Sequence, residues 1–250
     1  MQQEILQQIK QLLSQAASLY RNHFKTMAVT SALGLMPVGL LSTVISLSTG
    51  TALRHGHVQS VLNGLLAQMF LVFPLYLAGT FLAQAALLVQ MKAALEHLPV
   101  PGPGLAWAQV LRRAWPLLIT SLLVTVGATL GFVLFVLPGV WLLYRCLLTT
   151  PVVVFEHRSG LDALGRSAQL VKAAPVAVMY LLGAVGVFSW GIHFMADVVF
   201  PVSLAQVGRA VFDALLLPIP LLGVGLFYQR TVAAHQQAQD ATPAIGASAR

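Results

Sequence analysis

This sequence predicts an all-α, polytopic membrane protein. Three observations lead there: a scarcity of charge, a recurrence of apolar runs long enough to cross a bilayer, and a gathering of basic residues between alternate runs. Of 250 residues, 58% are hydrophobic and only 8% charged, and the mean hydropathy is +0.82. A soluble domain carries roughly 25% charged residues, so this chain has too few to cover a water-facing surface. Its net charge of +7 suits the basic loops of a membrane protein and does not by itself indicate nucleic acid. The single cysteine, Cys146, excludes an intrachain disulfide and lies in an apolar run that disfavours a reactive thiolate.

A transmembrane helix needs about 20 mostly apolar residues. Six runs qualify, at about 27–49, 61–91, 116–136, 138–155, 173–196 and 206–228, giving a membrane domain over 27–230. Residues 1–26 lack the layout of a cleavable signal peptide, so the first span is expected to remain as an anchor. Pro37, Pro74, Pro218 and Pro220 fall inside the runs and are expected to kink them. The fourth run follows a Leu-Pro-Gly turn at 137–139. Residues 231–250, small and polar, read as a disordered tail.

With the N-terminus inside, Lys10, Arg21, Lys25, Lys92, Arg112, Arg113, Arg158, Arg166, Lys172, Arg230 and Arg250 share the cytoplasmic side. Only Arg54 and Arg209 lie outside, and Arg145 is within a span. The positive-inside rule therefore puts both termini in the cytoplasm of a bacterial inner membrane.

Three polar segments on that side carry helical stripes. Ile5, Ile9, Leu12, Ala16 and Leu19 share one face of residues 1–26. Trp107, Val110, Leu111 and Ala114 align over 104–115, and Leu161, Leu164, Ala168 and Val171 over 159–172. Each is expected to lie on the inner leaflet with its basic side toward anionic headgroups. Arg112, Arg113, Arg166 and Lys172 are the candidate headgroup contacts; cytoplasmic helices packed on the bundle are the alternative. Amphipathic helix, outbound span and inbound span recur three times, a threefold helix-hairpin pseudo-repeat. Ser159 and Asp162 form a capping-box pattern, and Asp162 and Arg166 are spaced as an i,i+4 pair.

Arg145 stands deep in the fourth run. An arginine at a helix centre costs about 2.5–3.5 kcal/mol, and the nine Leu, Val and Phe residues of 140–155 return roughly 0.5 kcal/mol each. The span is therefore marginal and invites a partner. Arg145 and Asp213 both fall about 10 Å from the outer surface, at 1.5 Å per residue. They are expected to pair, either as a structural clamp or as part of a substrate pathway.

The stretch from Leu137 to Lys172 resembles the signature of the YciC-like bacterial inner-membrane proteins, which are related to the membrane domain of some glycerophosphodiester phosphodiesterases. The matching residues are Leu137, Pro138, Gly139, Arg145, Pro151, Glu156, Ser159, Gly160, Ala163, Arg166, Ser167, Leu170 and Lys172. Ala173 stands where that family usually has glycine. The resemblance implies a multispanning inner-membrane protein; since it concerns the membrane portion alone, it implies no hydrolysis.

No catalytic residues, cofactor or metal site are expected. G-x-S-x-G, H-E-x-x-H, C-x-x-C and Walker patterns are missing from the sequence. Glu156 is expected to accept a hydrogen bond from Arg166 or to cap the next helix, and His193 and Asp197, four apart, to form an interfacial polar pair. His55 and His57 flank Gly56 without the nearby carboxylate or cysteine of a metal site, and His23 and His97 lack a catalytic arrangement. The sequence favours a membrane-organising protein that interacts with lipid or protein partners. The alternative is a transporter or channel for a small or lipidic substrate, using the Arg145–Asp213 region.

Overall fold

A computed structural model describes residues 2–200 and 204–247. The chain is an all-α polytopic membrane protein: no strand occurs among the described residues, and six helical stretches are long and apolar enough to cross a bilayer. α1 (Gln2–Asn22) precedes the first span, α2 (Phe24–Arg54). The second span comprises α3 (Val58–Ala67), a π-helical turn at Gln68–Val72, and α4 (Phe73–Leu95). After α5 (Pro103–Leu111) come α6 (Ala114–Leu134) and a fourth span made of α7 (Val136–Cys146) and α8 (Thr149–Phe155). α9 (Gly160–Ala173) leads into α10 (Pro175–Val199), and the sixth span is built from α11 (Ala205–Leu216) and α12 (Pro218–Ala247).

Proline explains the interruptions. It has no N–H to give the carbonyl four residues back, and its ring crowds that carbonyl. Pro74, Pro151 and Pro218 act back on Phe70, Leu147 and Ala214, which lie in the π turn, at the α7–α8 break and just before the α11–α12 break. α2, by contrast, runs through Pro37 without interruption. The Leu-Pro-Gly sequence is not the turn it resembles. The chain reverses at Phe135, extended at φ −163° and ψ 154°. Pro138 then sits in the first turn of α7, where no intrahelical bond is lost. Gly131 and Gly139 close that hairpin: a β-carbon on Gly131 would stand 2.9 Å from the Gly139 α-carbon. Close approach also joins α2 to α4, where a β-carbon on Gly79 would come within 2.7 Å of the Gly34 carbonyl oxygen. Small residues permit such crossings in the absence of a hydrophobic driving force between helices.

Of the amphipathic helices, α1 buries its stripe in protein, and α5 and α9 bury theirs only in part. Ile9, Leu12, Ala16 and Tyr20 of α1 are buried, with α1 packed along α12 and against α10. The side chain of Ile5 lies outside the described residues. Ala106 and Val110 of α5 are buried, Leu111 is exposed, and the Trp107 Nε1 donates to the Thr30 carbonyl at 3.0 Å. In α9 the buried face is Ala163, Ser167, Leu170 and Val171, while Leu161 is exposed. That face is rotated from the stripe the sequence suggested, because Arg166 and Ser167 are both committed to neighbouring elements.

Two further expectations are corrected. α9 begins after Ser159 as the capping pattern requires, but the Ser159 side chain makes no capping bond. The Gly160 N–H donates instead to the Thr120 hydroxyl at 2.8 Å. The segment from 231 to 247, read as a disordered tail, continues α12. Its Ala and Gln residues have good helix propensity. Residues 248–250 lie outside the described residues.

Candidate functional site

The spans alternate in direction, so one end of the bundle carries α1, α5 and α9 and the other carries Arg54, Asp197 and Arg209. Near the second end, α2, the π turn, α4, α10 and α11 enclose a cavity of about 290 Å³, lined on its polar side by Ser42, Gln68, Tyr76, His193, Gln206, Arg209 and Asp213.

Asp213 anchors this cavity. It is only 2% exposed, and a carboxylate removed from water needs hydrogen-bond donors. The Tyr76 hydroxyl donates to Oδ2 at 3.0 Å. The His193 Nε2 lies 3.1 Å from Oδ1 and 3.3 Å from Oδ2. An ionised carboxylate only accepts, so with Asp213 charged the His193 Nε2 carries the hydrogen. One turn closer to the helix ends, Arg209 clasps Asp197 with two bonds, Nε to Oδ1 at 2.9 Å and Nη2 to Oδ2 at 2.8 Å. That pair is partly exposed and acts through its fork geometry more than its charge.

The two rungs follow from helix periodicity. His193 and Asp197 are four apart on α10, and Arg209 and Asp213 are four apart on α11. The helices run in opposite directions, so four residues forward on one is four residues back on the other. His193 meets Asp213 while Asp197 meets Arg209. His193 and Asp197 thus each find a partner on α11 rather than one another. Two i,i+4 pairs, each base before acid, on helices of opposite direction were the signal in the sequence. Tyr76, Gln68 and Ser42 gave none. Gln68 opens the π turn, donates to the Ser42 carbonyl at 3.0 Å and the Ser46 hydroxyl at 2.9 Å, and accepts from the Ser42 hydroxyl at 3.3 Å. π turns recur at functional sites because they re-aim side chains out of helical register.

Arg145 does not pair with Asp213. Its guanidinium lies over the Trp141 ring, 4.4 Å from the centroid. α7 packs chiefly on α6 and α9, whereas α11 packs on α2 and α10; equal depth is not lateral adjacency. The Arg145 carbonyl accepts from the Ser167 hydroxyl at 2.7 Å.

At the opposite end, Glu156 accepts from the Arg166 Nε at 3.1 Å through each oxygen, as the sequence suggested. The Arg158 Nε lies 3.1 Å from Oε2, and the Tyr228 hydroxyl donates to Oε1 at 2.9 Å. Arg166 therefore spends its Nε on Glu156 rather than on Asp162 and is part-buried, while Arg112, Arg113 and Lys172 are exposed. The signature residues serve one another: Glu156 holds Arg166, Ser167 holds the Arg145 backbone, Pro151 sits behind the α7–α8 break, Gly139 closes a hairpin, and Gly160 adopts φ +59°. The His55 and His57 rings lie 6.3 Å apart, and among the described residues no three potential ligands gather for a metal ion.

No family model, curated protein or solved structure matches this chain.

Proposed function

We propose that this membrane protein exchanges a small cationic solute for protons at the Asp213 cavity. One observation carries the reading: a carboxylate buried in an apolar bundle, facing a cavity, with a histidine and a tyrosine as its donors. Intramembrane carboxylates paired with histidine are the usual material of proton relays, and histidine changes charge near neutral pH. When His193 holds a second proton, Asp213 has a full counter-charge. When it is neutral, the direct partners of the carboxylate are dipoles, the Arg209 of the same cavity being bonded to Asp197, and the carboxylate favours a cation. Proton and solute then compete for one negative charge, the requirement for exchange.

The test uses methylammonium as probe, in vesicles reconstituted with the full chain and loaded with a pH-sensitive dye. Methylammonium gradients are expected to drive proton movement that is lost in Asp213→Asn. Wild-type protein that moves no protons under a methylammonium gradient overturns the reading.

A second reading, a non-catalytic protein that organises anionic lipid, draws on the exposed Arg112, Arg113 and Lys172. Placement in a bacterial inner membrane with both termini cytoplasmic belongs to the same proposal, supported by the asymmetric distribution of basic residues. Kinship with the YciC-like proteins rests on the Leu137–Lys172 signature. Glycosylation-acceptor or cysteine-accessibility mapping of residue 56 against residue 98 tests the orientation.

A further inference from the structure

A second cavity, of about 590 Å³, opens at the end of the bundle opposite Asp213. Its polar rim is formed by Arg112, Arg113, His157 and Arg158, joined by Gln109. Its floor is apolar, with Val89 from α4, Leu117 from α6 and Val153 from α8. Among the described residues no carboxylate lines it. Glu156, next to His157 in the chain, is taken by Arg166, Tyr228 and the Nε of Arg158. Three guanidiniums beside one shared carboxylate leave an excess of positive charge at this mouth.

The rim is built rather than incidental. His157 adopts φ +58°, a left-handed conformation that non-glycine residues take up sparingly and hold only where the surroundings enforce it. That backbone turn directs His157 and Arg158 to the same cavity as the arginines preceding α6. The Arg113 Nη1 contacts the His157 Nδ1. Guanidinium can only donate, so in this contact Nδ1 is the acceptor. The contact fixes one guanidinium in place.

We infer that this cavity is a binding site for the phosphate of an anionic phospholipid, with Arg112, Arg113 and Arg158 holding the headgroup and an acyl chain lying on Val89, Leu117 and Val153. Guanidinium forks match phosphate oxygens in bidentate geometry, and basic pockets between spans take up anionic headgroups. A free phosphate ion makes no use of the apolar floor; a lipid uses both surfaces. The inference deepens the second reading above and is independent of the Asp213 cavity. It also revises the candidate headgroup contacts: Arg166 is replaced by Arg158, and Lys172 is not part of the site.

Native mass spectrometry of the purified full chain in detergent tests it, with phosphatidylglycerol, phosphatidylcholine and inorganic phosphate as probes. Wild-type protein is expected to retain phosphatidylglycerol over phosphatidylcholine. Arg112→Gln with Arg113→Gln, which spares the Glu156 cluster, is expected to weaken that retention about tenfold. Adding Arg158→Gln weakens it further, while Lys10→Gln with Lys25→Gln leaves it unchanged. Thermal unfolding without lipid verifies that each variant is folded. Equal losses in the pocket and control variants overturn the pocket while leaving the lipid reading in place. No preference for phosphatidylglycerol in the wild type overturns both. Displacement of phosphatidylglycerol by inorganic phosphate at equal concentration overturns the lipid assignment in favour of a soluble ion.

Discussion

The two ends of the bundle use nearly the same parts to different effect. Each has a carboxylate, buried at Asp213 and part-buried at Glu156, and gives it a tyrosine hydroxyl, Tyr76 on Asp213 and Tyr228 on Glu156. They differ in the cation. Glu156 faces two arginines, which stay charged at every accessible pH. Asp213 faces a histidine, which does not. The first arrangement is a lock whose charges never change; the second can be loaded and discharged. A buried carboxylate is therefore not a functional sign in itself. The group opposite it decides whether it holds the fold or responds to protons.

The comparison is most sharply broken by removing the lock. Glu156→Ala strips two guanidiniums and a tyrosine of their acceptor. Breaking a fully buried pair costs 3–5 kcal/mol, and partial exposure reduces that to about 2 kcal/mol here. A thermal melt in detergent reads it directly. Asp213→Asn is expected to cost less, about 1 kcal/mol, because the amide oxygen still accepts from Tyr76 and His193. The same variant should abolish methylammonium-driven proton movement, whereas Glu156→Gln that folds should retain it. If both variants lose transport equally, the contrast between the ends fails.

Arg145→Leu is the next test. Its guanidinium rests on an aromatic face in place of a buried acid, an interaction worth about 0.5–1 kcal/mol at partly exposed sites. Proton movement should survive the change. A double swap, Arg145→Asp with Asp213→Arg, should fail to rescue the Asp213→Arg single variant; rescue would reinstate the pairing that the sequence suggested.

The smallest effect concerns a third tyrosine, outside the spans. The Tyr20 hydroxyl donates at 2.6 Å to the Leu215 carbonyl, beside the break where Pro218 and Pro220 withdraw two N–H donors. Burial pushes its pKa up from 10.0 to about 12. Folding therefore favours the protonated phenol. The stabilisation is complete below pH 10 and is lost as pH climbs through about 12. Tyr20→Phe is expected to melt below wild type at neutral pH, having lost the bond to Leu215, and the difference should narrow as pH climbs through about 12, the variant lacking this titration.

Much of this molecule was legible in one dimension. Six spans, the Glu156–Arg166 bond and the gathering of basic residues at one end follow from patterns local to a run or a motif. The rest was not. Leu161 and Leu164 suggested one face of α9, yet Ala163, Ser167 and Leu170 face inward, because Arg166 and Ser167 must reach Glu156 and the Arg145 carbonyl. The α1 stripe looked suited to lipid, but a hydrophobic face is satisfied equally by lipid or by α12. Tyr76 was invisible because its role depends on a helix 137 residues away in sequence.

By itself the sequence determined the solvent and the number of crossings. The transfer of each side chain into hydrocarbon is close to additive along a run, so composition and length suffice. Tertiary structure decided which side chains at one depth meet. That is a matter of lateral order and of helix rotation, set by glycine crossings such as Gly34 on Gly79 and by proline breaks. No quantity summed along the chain contains it. Arg145 and Asp213 are the instance: comparable in depth, opposite in charge, and each bound to something else.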